Sequence, residues 1–241
     1  MKYDIHILNH YTRDCSELKN KIESLGRSVD VSTDRTDYMR KRNEYRYIGL
    51  CANYFGILTQ EWKSDWKLIV HDDIVFFDNM FDNISQVLDY APKSHISFYN
   101  PTNNTYRKTL KDGYNVIKHH NHLWTQCSAW HKDYVPEMLK WILNNVLEFG
   151  KECHEVKIIQ YSCFMNKPRY TILPSFVQHE GYDKSLFGNP YKVGKNLRNS
   201  ESYREFEAKE IDWENAFKNC KVDGSRSYVN NGLIKDYQYE A

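Results

Sequence analysis

The chain has 241 residues, of which 41% are hydrophobic and 27% are charged, so it can bury a core as one large domain or two small ones. Its formal net charge of +1 argues against a broad electrostatic surface for nucleic acid and permits only a local basic groove. Six cysteines occur without CxxC spacing, which is typical of a reducing cytosol and unlike a structural zinc site or a disulfide scaffold.

The sequence has no apolar run of the roughly 18 residues that a membrane helix needs. Its N-terminus reads directly as a strand and has no signal-peptide core. We therefore expect a cytoplasmic protein without a membrane partner. The sequence gives no indication of the oligomeric state.

The first hundred residues alternate between apolar runs and helical patterns. We predict strands at 3–8, 28–32, 67–70 and 96–99, with intervening helices up to 25, over 38–58 and over 76–90. This alternation favours a single α/β domain with a mostly parallel central sheet and helices on both faces. No GxGxxG follows the first strand and no GxxxxGK[ST] occurs, so dinucleotide-binding and P-loop functions lose their main support.

The second half is less regular. We predict a polar loop over 101–113 and strands over 114–119, 122–127 and 170–173. One helix is predicted with Asp133 as its N-cap and Gly150 just past its end, and a second over 154–165. A glycine-containing loop is predicted over 181–199. The spacing of Ser202 and Glu205 is that of a capping box and predicts a last helix to about Phe217. Residues 1–222 are interpreted as one domain, followed by a polar tail over 223–241.

Two adjacent carboxylates, Asp72 and Asp73, end the apolar run that begins at Trp66. Two aspartates at the end of a buried strand are costly unless a cation lies beside them. A divalent metal that carries a phosphate-rich ligand is the obvious candidate. The alternative is a loop with two solvated aspartates, because Asp-Asp pairs are common.

Other candidate residues stand at helix starts and strand ends. Asn43 and Arg46 belong to the basic start of the predicted 38–58 helix, where a diphosphate or a base edge can bind, although a solvated charged face is the alternative. Glu155 begins an amphipathic helix, as a general base or as an ordinary helix-start glutamate. His179 lies between a strand and a loop, as a metal ligand, a phosphate donor or a structural histidine.

The Asp72–Asp73 pair, the later Glu155 and the segment Pro174–Gly181 (Pro-Ser-Phe-Val-Gln-His-Glu-Gly) together resemble the nucleotide-sugar glycosyltransferases of the GT-A fold. The resemblance covers roughly residues 3–190 and is similar in particular to small viral and bacterial members whose C-terminal strand runs Pro-Ser-Leu-Val-Gln-His-x-Gly. It implies a hexosyl- or pentosyltransferase with a nucleotide-sugar half at about 1–100 and an acceptor half at about 101–222. Inversion of the anomeric carbon is expected if one carboxylate acts as base.

The resemblance also implies roles for individual residues. His71, Asp73 and His179 would hold a divalent metal, Mn²⁺ or Mg²⁺, and His71 replaces an acid of the family's triplet, which shifts the preference toward manganese. Glu155 would be the catalytic base. The implied donor-binding residues are Asn9, Arg13, Asp34, Asn43, Arg46 and Asp72.

The acceptor is implied less directly. Trp124 and Trp130 lie in the stretch where such enzymes contact the acceptor, so they would stack on a sugar or an extruded base, with core packing as the alternative. The acceptor is either a glycan or a hydroxymethylated base in viral or phage DNA, and in the viral case the location is the host cytoplasm. A DNA acceptor needs a basic groove, for which two predicted loops offer Lys108, Lys111, Lys118, His119, His120, Lys192, Lys195 and Arg198, or these are ordinary solvated charges.

Two other functions fit the same residues. A metal-dependent phosphoesterase would use His71, Asp72, Asp73 and His179, although two-metal sites usually need more ligands than this chain offers. A protein of the same fold that binds a nucleotide sugar without catalysis is the other alternative, because His71 departs from the family's acid.

Overall fold

The computed structural model describes residues 2–35, 47–101, 104–121, 124–145, 153–179, 200, 202–203 and 207–224. The strands within these ranges are β1 (Tyr3–His10), β2 (Asp30–Asp34), β3 (Trp66–His71), β4 (Ile74–Phe76), β5 (His95–Ser97), β6 (Val116–His119), β7 (Cys127–His131), β8 (Arg169–Ile172), β9 (Val177–His179) and β10 (Lys221–Val222). The helices are α1 (Ser16–Ser24), α2 (Ile48–Thr59), α3 (Met80–Leu88), α4 (Asn104–Lys111), α5 (Val135–Asn145), α6 (His154–Phe164) and α7 (Trp213–Lys218), with a 3-10 helix at Ala208–Glu210.

Eight strands form one mixed sheet in the order β10-β6-β8-β5-β7-β3-β1-β2. Four of the seven pairings in this described sheet are parallel, namely β1 with β2 and β3, β5 with β8, and β6 with β10. β7 runs antiparallel to both β3 and β5, and β6 runs antiparallel to β8. The predicted α/β class with a mostly parallel central sheet is therefore confirmed.

Helices cover both faces of the sheet, and β3 shows why. Successive side chains of a strand point to opposite faces. Leu68 and Val70 pack in a buried cluster with residues of α1 and α3, whereas Ile69 packs with residues of α2, α5 and α6. A strand that is buried at five of its six positions, as β3 is, therefore suits a sheet that is covered on both sides.

The carboxyl ends of β1, β2 and β3 meet at one edge of the sheet. The parallel register pairs His10 with Asp34 and Leu8 with His71. Open α/β sheets bind ligands at this kind of edge. A separate two-stranded sheet begins here as well, because β4 follows Asp73 directly and pairs antiparallel with β9, with Ile74 opposite His179.

The predicted polar loop over 101–113 is wrong, because it contains α4. Tyr106 and Thr109 are buried at 2% and 2% exposure and stand three residues apart, so they share one face of the helix. The other positions of α4 are mostly polar or charged. Because so few of its residues are buried, the sequence shows no helical repeat of apolar residues. The strand predicted over 122–127 instead begins five residues later, at β7 (Cys127–His131).

The start of the last helix is also corrected. It begins at Trp213, and the side chain of Asp212 accepts a hydrogen bond from the backbone N–H of Asn215 at 3.0 Å. Asp212 therefore caps the helix, and the spacing at Ser202 does not. The predicted loop over 181–199, the helix end near Gly150 and residues 225–241 of the predicted tail lie outside the described residues. No helix in the described ranges is long and apolar enough to cross a bilayer.

Candidate active site

The carboxylates of Asp72 and Asp73 share one arginine. Arg13, in the turn after β1, places Nη1 2.5 Å from Oδ1 of Asp72 and 2.9 Å from Oδ2 of Asp73. The backbone N–H of His10 donates to the other oxygen of Asp72 at 3.0 Å. The side chain of Arg13 is 20% exposed and that of Asp72 5%, so these charge-assisted hydrogen bonds are partly shielded from water. The cation that the sequence requires beside the acid pair is, in this structure, a residue of the same chain.

His179 reaches the same acid pair from β9. Its Nε2 lies 3.3 Å from Oδ2 of Asp73, a contact that follows from the pairing of Ile74 with His179. Burial alone would raise the pKa of Asp73, but the hydrogen bond from His179 and the nearby charges of His179, His71 and Arg13 hold that pKa well below its usual range. Burial raises the pKa of Asp72 and outweighs the opposing charge of Arg13. The two carboxylates therefore differ electrostatically although they are neighbours in sequence.

The hydroxyl of Thr125 connects the end of β3 to Glu155. Thr125 is fully buried just before β7, with Oγ1 2.9 Å from Oε1 of Glu155, 2.9 Å from Nε2 of His154 and 3.5 Å from Nε2 of His71. Its backbone N–H also donates to Oε1 of Glu155 at 3.4 Å. The antiparallel pairing of β3 with β7 produces this arrangement, since β7 begins opposite the end of β3 and His71 N–H donates to the carbonyl of Gln126 at 2.9 Å.

Two histidines beside Thr125 are neutral near pH 7. Burial lowers the pKa of His71 to about 4, and the opposing charge of Asp73 does not restore it. Burial also places the pKa of His154 well below its usual range. His154 stacks on the ring of Tyr54 with centroids 4.0 Å apart. A neutral imidazole is the form that binds a metal, so the charge state of His71 suits the ligand role that the sequence predicts.

Asp73 and His179 fit a metal site in part. Their facing atoms are 3.3 Å apart, near the roughly 3 Å expected for two atoms that each lie about 2.1 Å from one divalent cation at right angles. Within the described ranges, however, no group of three or more His, Cys, Asp or Glu side chains surrounds one metal position. Arg13 contacts the Asp73 oxygen that a metal would use. Binding of Mn²⁺ or Mg²⁺ stays a prediction.

Two predicted donor-binding residues, Asn9 and Asp34, lie at the ends of β1 and β2 next to the acid pair. Asn9 is 8% exposed, and among the described residues its Oδ1 has no hydrogen-bond partner. The carbonyl of Asp34 accepts from Tyr11 N–H at 2.9 Å. The ring of Tyr11 is 49% exposed and packs against His10 with centroids 4.7 Å apart. Sequence reasoning missed this exposed aromatic ring. Asn43 and Arg46 lie outside the described residues.

The two candidate tryptophans differ. Trp130 is fully buried on β7, between β3 and β5, and its Nε1 donates to the hydroxyl of Tyr54 at 2.9 Å. Core packing therefore describes Trp130, and its prediction as an acceptor contact is wrong because it has no exposed surface. Trp124 is partly buried beside Tyr99, with ring centroids 6.1 Å apart, and directly precedes Thr125. An acceptor contact by Trp124 stays a prediction.

The candidate basic groove is smaller than the sequence indicates. His119 lies 2.8 Å from the hydroxyl of Thr171, and His120 lies 2.9 Å from the carbonyl of Ser162. Both histidines are buried, so they add nothing to a basic surface. Lys108 and Lys111 belong to α4 and Lys118 to β6, while Lys192, Lys195 and Arg198 lie outside the described residues.

No protein-family model matches the chain, and no curated protein matches it in sequence. Among solved structures, the chain is similar to a glycosyltransferase involved in the glycosylation of the major capsid of PBCV-1, with 14% identity, a TM-score of 0.29, and coverage of 58% of this chain and 65% of that one. It is also similar to A197 from STIV, with 8% identity, a TM-score of 0.32, and coverage of 73% of this chain and 83% of that one. Both similarities are too distant to assign an activity.

Proposed function

We propose that this chain is a glycosyltransferase that moves a sugar from a nucleotide-sugar donor to an acceptor hydroxyl. The proposal is carried by the connection of the acid pair to Glu155. His179 contacts Asp73 at 3.3 Å, and the Thr125 hydroxyl lies between His71 and Glu155 at 3.5 Å and 2.9 Å. Residues from β3, α6 and β9 thus meet at one edge of the sheet. Such a site combines a place for an anionic leaving group with a fixed carboxylate, which are the two requirements of sugar transfer.

The donor would bind along the carboxyl ends of β1, β2 and β3. The guanidinium of Arg13 pairs with both carboxylates of the acid pair and would face the donor diphosphate. The negative charge on the diphosphate grows as the bond to the sugar breaks. The nucleoside would extend toward Asn9 and Asp34, and the exposed ring of Tyr11 offers a stacking surface for a base. A divalent ion held by Asp73 and His179, with neutral His71 beside them, would neutralise developing negative charge.

Glu155 would act as general base toward the acceptor hydroxyl. The acceptor oxygen forms a bond to the anomeric carbon, the bond from that carbon to the diphosphate oxygen breaks, and Glu155 takes the acceptor proton. One displacement of this kind inverts the anomeric configuration. Two donors from Thr125 fix one oxygen of Glu155, which keeps the carboxylate in a defined orientation.

The acceptor would bind on the Trp124 side of Glu155, because Trp124 is adjacent in the chain to Thr125. A hydroxymethylated base in DNA and a glycan hydroxyl both present the required nucleophile beside a ring that an aromatic side chain can stack on. The two acceptors are separated by experiment, using DNA that contains hydroxymethylated pyrimidines in parallel with simple glycosides.

The test measures nucleoside diphosphate release from a panel of nucleotide sugars, with and without Mn²⁺, for the wild type and Glu155→Gln. We expect release that depends on an acceptor and is lost in the variant. Glu214→Gln, at an exposed glutamate of α7, is the matched control and should behave as the wild type. Turnover of phosphate monoesters instead would indicate a phosphoesterase, and donor binding without turnover on either acceptor class would indicate a binding protein. Retention of the anomeric configuration, measured by NMR, would contradict the role given to Glu155.

A further inference from the structure

Ser175 and Gln178, at the start of β9, take no part in the proposed sugar transfer, yet both bind a later part of the chain. The backbone N–H of Ser175 donates to the hydroxyl of Ser202 at 3.0 Å. Oε1 of Gln178 accepts from the backbone N–H of Ser200 at 2.7 Å. Gln178 directly precedes His179 in β9, so these contacts are made beside a side chain of the candidate site.

A buried hydrogen-bond network completes this attachment. Asn100 is buried, its Nδ2 donates to the carbonyl of Ile172 at 2.9 Å, and its Oδ1 accepts from the hydroxyl of Ser202 at 2.6 Å. The backbone N–H of Asn100 donates to the Ser175 hydroxyl at 3.3 Å, and that hydroxyl donates to the carbonyl of Val177 at 2.8 Å. Each of the two serine hydroxyls thus accepts from a backbone N–H and donates its one hydrogen onward. Removal of either hydroxyl would leave a backbone donor without this partner, which is costly in a buried network.

Tyr203 reaches the other strand of the two-stranded sheet. Its ring stacks on that of Phe77, which directly follows β4, with centroids 4.8 Å apart. Ser200, Ser202 and Tyr203 therefore form a C-terminal clamp that contacts β9 on one side and the end of β4 on the other. A two-stranded sheet is marginally stable without further support. The position of His179 on β9 therefore depends on what packs against this sheet.

We propose that Ser202 and Gln178 are positioning residues of the candidate site. Through them the C-terminal clamp holds His179 beside Asp73, whose Oδ2 lies 3.3 Å from Nε2 of the histidine. The ring of His179 also lies beside that of Tyr99, with centroids 6.2 Å apart. Loosening of the clamp lets β9 move, and both distances then increase. The inference rests on the proposed function for its effect on catalysis, whereas the placement of His179 is measured without any substrate.

The test measures the nuclear Overhauser effect between the ring protons of His179 and Tyr99 in the full-length protein. The wild type is compared with Gln178→Leu and with the double variant Gln178→Leu/Ser202→Ala. We expect a weaker effect in the single variant and the weakest in the double variant, because the two rings move apart. In the transfer assay, kcat should fall by up to about 10²-fold, the cost of a misplacement of about 1 Å. Gln178→Glu keeps an acceptor for the N–H of Ser200 and should restore both quantities.

Asn83→Ala is the matched control. Oδ1 of the buried Asn83 accepts from the backbone N–H of Ala208 at 2.9 Å, so it attaches the following part of the chain to α3 instead of β9. We expect this variant to lower the melting temperature but to leave the ring-to-ring effect and kcat unchanged. An equal weakening of the effect in Asn83→Ala would reveal a general loss of stability and overturn the proposal. A wild-type effect in the double variant would overturn it as well.

A second measurement uses the unaltered protein, in case the variants do not fold. Hydrogen exchange at the backbone N–H groups of Ser175 and Ser200 should be as slow as in β9, because both groups donate within the clamp. Exchange at the rate of unprotected amides would also overturn the proposal. A wild type that lacks transferase activity but gives the expected ring-to-ring and exchange results would contradict the proposed function alone and support the positioning role.

Discussion

The hydroxyl of Thr125 lies 2.9 Å from Oε1 of Glu155, and the backbone N–H of the same threonine donates to that oxygen at 3.4 Å. A hydroxyl has one hydrogen, so its donation to Glu155 makes the Nε2–H of His154, 2.9 Å away, a donor to Thr125. One buried side chain thus sets the tautomer of a histidine and the orientation of the proposed base.

Thr125→Val should test whether this orientation matters. Valine keeps the shape and the backbone donor but removes the hydroxyl, so the Glu155 carboxylate loses the shorter of the two Thr125 hydrogen bonds that orient it. We expect kcat to fall by about 10²-fold with little change in the KM for the donor, because misplacement of a catalytic group costs about that much. Thr125→Ser keeps the hydroxyl and should restore most of kcat. A Thr125→Val enzyme with wild-type kcat would show that Thr125 has only a packing role.

Glu155→Gln removes the proposed base while preserving size and burial. Loss of a general base typically costs about 10²- to 10⁴-fold in rate, so we expect kcat to fall within that range. Donor affinity should stay near the wild-type value, since the proposed donor contacts belong to β1, β2 and β3. Equilibrium binding of the nucleotide sugar and steady-state kinetics separate the two effects. A variant that loses donor affinity but keeps kcat would place Glu155 in donor binding instead.

Asp73→Ala should abolish transfer and leave the fold intact. The variant removes one carboxylate from the proposed site, while Asp72 keeps its contacts with Arg13 and His10. The contacts with His179 and Arg13 that hold the pKa of Asp73 low also stabilise the fold, but Arg13 keeps its ion pair with Asp72, so we expect Asp73→Ala to lower stability without unfolding the protein. Circular dichroism and nucleoside diphosphate release measure the two outcomes. Unfolding of the variant would mean that Asp73 is needed for stability in its own right.

The sequence predicts the edge of the sheet at which these residues meet, but it predicts the contacts between them poorly. The alternation of apolar runs identifies β1 and β3, and two carboxylates after a buried strand mark a strand end that needs a cation. These are local signals that depend on period and on desolvation. The identity of the cation depends on tertiary structure, because Arg13 reaches the pair only when β1 lies beside β3.

Thr125 and Trp130, on the other side of the site, also have contacts that local sequence patterns do not predict. Thr125 belongs to no motif, and it reaches Glu155 because β7 inserts antiparallel between β3 and β5. The same insertion buries Trp130 completely, whereas Trp124, six residues earlier, precedes the strand and is partly buried. The order of strands in the sheet decides which of these residues are buried and which reach Glu155. That order depends on pairings between distant parts of the chain, which local sequence patterns do not reveal.

Lys67 should contribute to stability as an internal cap of α2. It is fully buried, and its Nζ donates to the carbonyls of Ile57 at 2.9 Å and Gln60 at 3.0 Å, where the helix leaves carbonyls without partners. Lys67→Met should lower the free energy of unfolding by roughly 1.5–3 kcal/mol, the usual cost of losing hydrogen bonds to a charged group. Lys132→Met, at a half-exposed lysine, should change it by no more than about 0.5 kcal/mol. Equal effects of the two variants in urea denaturation would contradict this role.

His95 should make the protein sensitive to mild acid. It is 1% exposed on β5, and within the described part of the chain neither ring nitrogen has a hydrogen-bond partner. Burial, reinforced by the charge of Arg169, holds the pKa of His95 well below its usual range. As the pH falls below about 6.5, the unfolded chain takes up a proton at this histidine and the folded chain does not. Stability is therefore complete above that pH and declines below it, by up to about 1.4 kcal/mol per pH unit for this one group.

His95→Leu should remove this contribution. Leucine fills a similar volume without unpaired nitrogens, so we expect unchanged or slightly higher stability at pH 7 and a shallower loss of stability between pH 6.5 and 4. Urea denaturation at several pH values measures the slope. Ile96→Val, a neighbouring core change, should lower stability by about 0.5–1.5 kcal/mol at every pH and leave the slope as it is. If His95→Leu keeps the wild-type slope, the acid sensitivity arises from other buried histidines, of which His6, with its pKa lowered by burial to about 4, is the next to replace.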